Sequence, residues 1–106
     1  MNSRAKGIRG ELELRDFLRR FNIQARRGQQ YCGGADSPDV ITDLADIHFE
    51  CKRVERASIY DWMAQAKGDC PLGSIPVVAH RQNDQEWLAV LRLEDFIKIV
   101  QRRETP

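Results

Sequence analysis

The stretch Ile47-His48-Phe49-Glu50-Cys51-Lys52-Arg53 restricts the fold of this chain more than any other, because apolar and polar side chains alternate through Lys52. A period of two is that of a strand, with Ile47, Phe49 and Cys51 on one face and His48, Glu50 and Lys52 on the other. A half-buried strand needs partners, so a sheet must be built around it. Upstream, Pro38 fixes its own φ and disfavours the helical region for Ser37, so Asp39-Val40-Ile41-Thr42 starts extended. A turn around Asp43 to Asp46 then joins the two segments as a hairpin.

The flanking segments supply helices and further strands. Residues 4–21 carry Ile8, Leu12, Leu14, Phe17, Leu18 and Phe21 at helical spacing, and Asn22 ends that pattern. Ile23 to Arg27 reads as a short strand and residues 28–37 as a glycine-bearing loop. Ser58-Ile59-Tyr60-Asp61 fits a capping box with Asp in place of Glu. It opens a helix through Lys67 that Gly68 can terminate, with Ile59, Trp62, Met63 and Ala66 as its apolar members. Ile75 to His80 and Trp87 to Leu91 read as strands joined by the polar turn Arg81 to Glu86. Leu93 to Arg103 is a last helix, with Phe96, Ile97 and Val100 expected to face the core. The order α-β-β-β-α-β-β-α makes an α/β or α+β domain with helices packed on a central mixed sheet. With 106 residues, no repeat and no long linker, one domain is expected.

No apolar run approaches the roughly 20 residues of a membrane span, and the N-terminal residues lead into a charged stretch rather than a signal-peptide core, so a cytoplasmic chain with no membrane partner is expected. Cys32, Cys51 and Cys70 stand far apart without a C-x-x-C pair, which argues for reduced, mostly buried thiols over structural zinc. The net charge of +1 hides a segregation: residues 1–30 carry +5, residues 31–50 carry −5 and residues 51–106 carry +1. A basic arm beside an acidic cluster suits a phosphodiester ligand, since the arm attracts the backbone and the carboxylates hold a cation. Charge runs are also common on plain solvated faces.

Metal-assisted phosphodiester hydrolysis needs hard oxygen ligands, because Mg²⁺ prefers carboxylates and polarises both water and phosphate. Glu50 and Lys52, two apart on a strand, put one anion and one cation side by side. Asp39, or its neighbour, falls across from Glu50 to Lys52, the exact pairing depending on the turn type. Standing alone, a Glu-x-Lys strand is an exposed ion pair contributing about 0–1 kcal/mol. Pro38-Asp39 at hairpin distance and the apolar opposite face favour a site. Glu11 falls close to Leu18 on the helical wheel, flanked by Leu14, Phe21 and Ile8, and a carboxylate in an apolar arc is costly unless paired or bound to a cation. Pairing with Arg15 one turn on is the alternative.

Together, Lys6-Gly7-x-x-x-Glu11-Leu12-Glu13-Leu14, the glycine-bearing loop, Ser37-Pro38-Asp39-Val40 and Ile47-x-Phe49-Glu50-Cys51-Lys52 resemble the PD-(D/E)xK nuclease superfamily. The resemblance is greatest to its archaeal-type Holliday-junction resolvases and small phage relatives, and it covers roughly residues 4–67. It implies a restriction-endonuclease-like sheet, Glu11, Asp39 and Glu50 as ligands of Mg²⁺ or Mn²⁺, catalysis by Lys52, DNA contact by Ser37 or the loop before it, and Gln65 as an accessory residue. Gln65 is otherwise simply polar on a short helix. Arg4, Lys6, Arg9, Arg19, Arg20, Arg26 and Arg27 are the candidates for phosphate contact, unless several only solubilise the helix. No zinc finger or evident helix-turn-helix is present, so recognition of DNA shape, such as a branched junction, is expected over recognition of a long sequence. Symmetric cutting of two strands calls for a twofold homodimer, for which Trp62, Met63 or the Trp87 strand are candidates when they are not core. The rivals are a nickase, flap, restriction or repair nuclease of the same superfamily, and a non-catalytic DNA-binding module on the same sheet.

Overall fold

A computed structural model describes residues 3–28 and 38–104. The elements follow the expected order: α1 (Ser3–Arg19), β1 (Ala25–Arg27), β2 (Val40–Thr42), β3 (Ile47–Lys52), α2 (Ile59–Asp69), β4 (Ile75–His80), β5 (Leu88–Val90) and α3 (Leu93–Glu104). The five strands form one mixed sheet in the order β1-β2-β3-β4-β5. Neighbours are antiparallel except β3 and β4, which run parallel, and α2 supplies the crossover that a parallel pair requires. Every residue of β4 is buried, consistent with its near-continuous apolar run and its place inside the sheet. No helix among the described residues is long and apolar enough to cross a membrane.

The alternation of β3 divides the core between the two sheet faces. Phe49, with Val77 and Ala79 of β4, packs under Leu14 and Leu18 of α1. On the other face Val78, the β4 partner of Glu50, packs under Trp62 and Ala66 of α2. Helix α1 lies close to β3 at Gly10, where a Cβ would sit 2.4 Å from Arg53 Cβ. Its chain reverses through Asn22, whose φ of 61° is a left-handed conformation that asparagine tolerates. Phe21, beyond the last helical turn, is 60% exposed and sets its ring edge-on to Phe17 at 5.2 Å instead of joining the core.

Three expectations about the helices are corrected. Gly68 does not end α2; the helix runs to Asp69 and stops where Cys70, at φ −86° and ψ 128°, turns extended ahead of Pro71, as residues before proline do. Ser58 does not cap a backbone N–H; its hydroxyl donates to Asp61 Oδ2 at 2.7 Å. On α3, Phe96 and Ile97 do not face the core but are 50% and 46% exposed. Asp95, 1% exposed, and Ile99 are the inward residues. Asp95 is accommodated because it accepts Arg92 Nε at 2.8 Å and lies 3.6 Å from Lys98 Nζ, both within its own segment, while Ile99 packs the helix against the core. Trp62 is buried against the sheet, while Met63 and Trp87 pack against the two core clusters.

Candidate active site

The β2–β3 register decides where the chemistry sits. Val40 pairs with Phe49, and the Asp39 N–H donates to Phe49 O at 2.9 Å, which sets Asp39 across from Glu50. At that point the backbone ladder gives way to a side chain: Asp39 Oδ2 accepts the Cys51 N–H at 2.8 Å. On the other side the Gly28 N–H donates to Asp39 O at 2.9 Å. Asp39 is thus held through its N–H, its carbonyl and its carboxylate, and its orientation is fixed by strands on both sides.

Gly28 is part of that clamp. A Cβ there would stand 2.1 Å from Pro38 O, a backbone atom that cannot move away without taking Asp39 with it. Gly28→Ala is expected to cost about 1–3 kcal/mol of stability in urea unfolding and to impair any activity that depends on Asp39. Gly7, which has nothing within 4 Å of a built Cβ, supplies the matching control in Gly7→Ala. Equal effects of the two substitutions in both assays would remove Gly28 from the site.

Glu50 is 3% exposed. Burial, then the charge of Asp39 and a hydrogen bond with its side chain, then the charge of Asp69 push the Glu50 carboxyl up to about 9, against the opposing pull of Lys52. The Glu50 carboxyl therefore favours its protonated form beside Asp39. His48 Nε2 lies 3.2 Å from Glu50 Oε1, a hydrogen bond in which either group can hold the proton. A buried carboxyl group facing a half-buried one favours a proton or a cation between them, so the pair fits a divalent ion with oxygen ligands. Lys52, on the same strand face, donates from Nζ to Gln65 Oε1 at 2.8 Å, which joins the accessory candidate on α2 to the lysine.

Glu11 is near this pair, and its carboxyl is raised by burial while Asp39 adds to the shift and Arg27 opposes it. Its Oε1 accepts Arg27 Nε at 2.7 Å, so its partner comes from β1, whereas Arg15 pairs with Asp16. Among the described residues no three His, Cys, Asp or Glu side chains are already grouped around one ion position. Glu11 Oε1 is engaged by Arg27, which leaves its second carboxylate oxygen as the one that could turn to an ion held by Asp39 and Glu50.

Of the phosphate-contact candidates, Arg4, Lys6, Arg9 and Arg26 are exposed on α1 and β1. Arg27 is engaged by Glu11, Arg19 donates to Ala25 O at 2.9 Å, and Arg20 lies over the Phe17 ring. Ser37 and Cys32 lie outside the described residues. The described cysteines, Cys51 and Cys70, are free thiols, and burial with the charges of Asp39, Glu11 and Glu13 pushes Cys51 up to about 12, which keeps it a protonated, unreactive thiol.

No protein-family model, curated protein or solved structure matches the chain. Sequence reasoning passed over His48, Asp69 and Gly28. His48 had a readable signal, since it stands two residues before Glu50 on the same strand face. Asp69 and Gly28 had none, because each acts through a neighbour distant in sequence.

Proposed function

We propose that this chain is a metal-dependent endonuclease that hydrolyses DNA phosphodiester bonds, selecting DNA by its structure, as the likeness to Holliday-junction resolvases implies. The observation that carries the reading is the buried Glu50 carboxyl facing half-buried Asp39, with the Lys52 ammonium beside it on one strand face. Asp39 and Glu50 would hold Mg²⁺ or Mn²⁺, with Glu11 adding the carboxylate oxygen that Arg27 does not engage. Bound there, the ion would polarise the phosphate and make a water nucleophilic near neutral pH.

The chain's own residues account for the rest. The Cys51 N–H and the Phe49 carbonyl fix Asp39, and His48 holds Glu50, so the carboxylates need little reorganisation when they exchange their proton for an ion. Gln65 steers the Lys52 ammonium, which would position the water or neutralise charge accumulating on the phosphate. Arg4, Lys6, Arg9 and Arg26 would take the DNA backbone, with Ser37 added by the resemblance.

The test is cleavage in Mg²⁺ of a four-way junction, a flap, a nicked duplex and a plain duplex of common sequence. Preferential cutting of the junction is expected. Preference for the flap or nick would assign a different nuclease of this kind, and binding without cutting of all four would leave the non-catalytic module.

A further inference from the structure

The end of α2, the loop that follows it and helix α3 enclose a cavity of about 310 Å³, none of whose lining residues belongs to the candidate active site. Four of the lining side chains are cations, Lys67, Arg92, Lys98 and Arg102, and one is a carboxylate, Asp95. Like charges gathered around one concavity repel each other, and an anion bound among them would turn that repulsion into attraction. The Ser74 hydroxyl, also in the lining, adds a neutral donor.

The acidic neighbours leave most of this donor set unspent. Asp95 is 1% exposed, so it presents almost no surface to the cavity, and it fixes Arg92 by accepting its Nε at 2.8 Å. The Nη groups of Arg92 remain, because Glu94 Oε1 is 3.8 Å away, beyond hydrogen-bond reach. Lys98 Nζ, 3.6 Å from Asp95 Oδ1, is held near without a hydrogen bond. Lys67, in the last turn of α2, is exposed and forms no ion pair among the described residues. Arg102 alone is taken up by a carboxylate outside the lining, Asp46. Two ammonium groups and a guanidinium fork thus line the cavity beside a single, covered carboxylate.

A fork, two mobile point charges and a hydroxyl suit a tetrahedral oxyanion, which offers acceptor oxygens in several directions, better than a planar carboxylate. The volume is at the small end of the roughly 300–1,000 Å³ of small-ligand sites, which suits one phosphate group with its immediate substituent and excludes a double helix. The last turn of α2 also joins the cavity to the candidate active site. Lys67 and Cys70 line the cavity, while Asp69 lies near enough to Glu50 for its charge to act there. A strand held at Glu50 would therefore pass close to the cavity.

We propose that this cavity binds one phosphate group, carried by a nucleic-acid strand or by a free phosphomonoester. The strand source rests on the nuclease reading. The site itself uses none of the residues assigned to catalysis and stands whether or not the chain cuts DNA.

Titration of the whole chain with inorganic phosphate, and then with a deoxynucleoside 5′-monophosphate, tests this by amide NMR shifts at constant ionic strength in EDTA. Saturable shifts at Gly73 and Ser74 are expected. Lys67→Gln/Lys98→Gln is expected to weaken both ligands by at least about tenfold, since two charge-assisted hydrogen bonds are lost. Arg56→Gln/Arg103→Gln removes two exposed charges outside the cavity and is expected to bind like the wild type. Lys67→Gln alone, expected to weaken binding about threefold or more, keeps the experiment decisive if loss of Lys98 disturbs Asp95. A single-stranded oligonucleotide without terminal phosphate, followed by anisotropy against salt, separates the two sources. A salt slope lower by about 0.7 in the Lys67→Gln/Lys98→Gln variant assigns the site to a strand phosphodiester, and an unchanged slope assigns it to a free phosphomonoester. No saturable shift with either phosphate or nucleotide overturns the proposal. So does equal weakening by the Arg56→Gln/Arg103→Gln control, which would mean diffuse charge and no site.

Discussion

Lys52→Ala is expected to reduce Mg²⁺-dependent cutting by roughly 10²–10⁴-fold while leaving DNA affinity and thermal stability close to those of the wild type. The ammonium group contributes little to folding: its hydrogen-bond partner, Gln65, is itself exposed, and exposed contacts of this kind add at most about 1 kcal/mol. Asp39→Asn should be as damaging to cutting. An asparagine oxygen can still accept the Cys51 N–H, so the turn into β2 survives while the negative charge is lost. Gln65→Ala should lose less than either, because it removes only the group that steers the lysine. Single-turnover rates on a junction substrate, with binding followed separately by anisotropy, distinguish these outcomes. Parental rates for both Lys52→Ala and Asp39→Asn would place the chemistry elsewhere.

The second large effect is on stability. In the unfolded chain the Glu50 carboxyl titrates near 4.5, and in the folded chain near 9. The folded state therefore binds the proton more tightly. Its contribution is fully present below about pH 4.5 and is lost as the pH rises toward about 9, because over that window unfolding releases a proton that the native state keeps. Glu50→Gln has no proton to lose and should lack this slope. The two proteins should be close in stability near pH 4.5, with the variant increasingly ahead as the pH rises, by an amount on the order of a few kcal/mol above neutrality. Mg²⁺ or Mn²⁺ should restore the wild type at alkaline pH, since an ion bound only by the native state replaces the missing proton, and should do far less for Glu50→Gln. Urea unfolding at several pH values, with and without metal, measures both effects. Parallel pH profiles for wild type and variant would show that Glu50 is already ionised in the fold.

These expectations depend on features of unequal visibility. The hairpin was legible because Pro38 and the period-two pattern of β3 are local signals, and they put Glu50 and Lys52 on one face before any partner was known. Glu11 showed its need for a partner through its place among Leu14, Leu18 and Ile8. The partner itself, Arg27, comes from a strand 16 residues on, and helical spacing had pointed to Arg15. The stripe on α3 was equally plain, yet its assignment to the core was reversed. Hydrophobic spacing shows that a face favours burial, not which surface will bury it. In the fold Ile99 packs against the core instead, and Asp95, satisfied by Arg92 and Lys98, is buried beside it.

The sequence by itself determined the order and kind of the elements and the face on which Glu50 and Lys52 project, because backbone periodicity and the constraints of proline act over a few residues. Only the tertiary structure decided that Asp39 meets Glu50, that Gln65 reaches Lys52 and that Arg27 occupies Glu11. Each of these depends on strand register or on the docking of a helix, which are set by the packing of the whole chain and by hydrogen bonds between segments far apart along it.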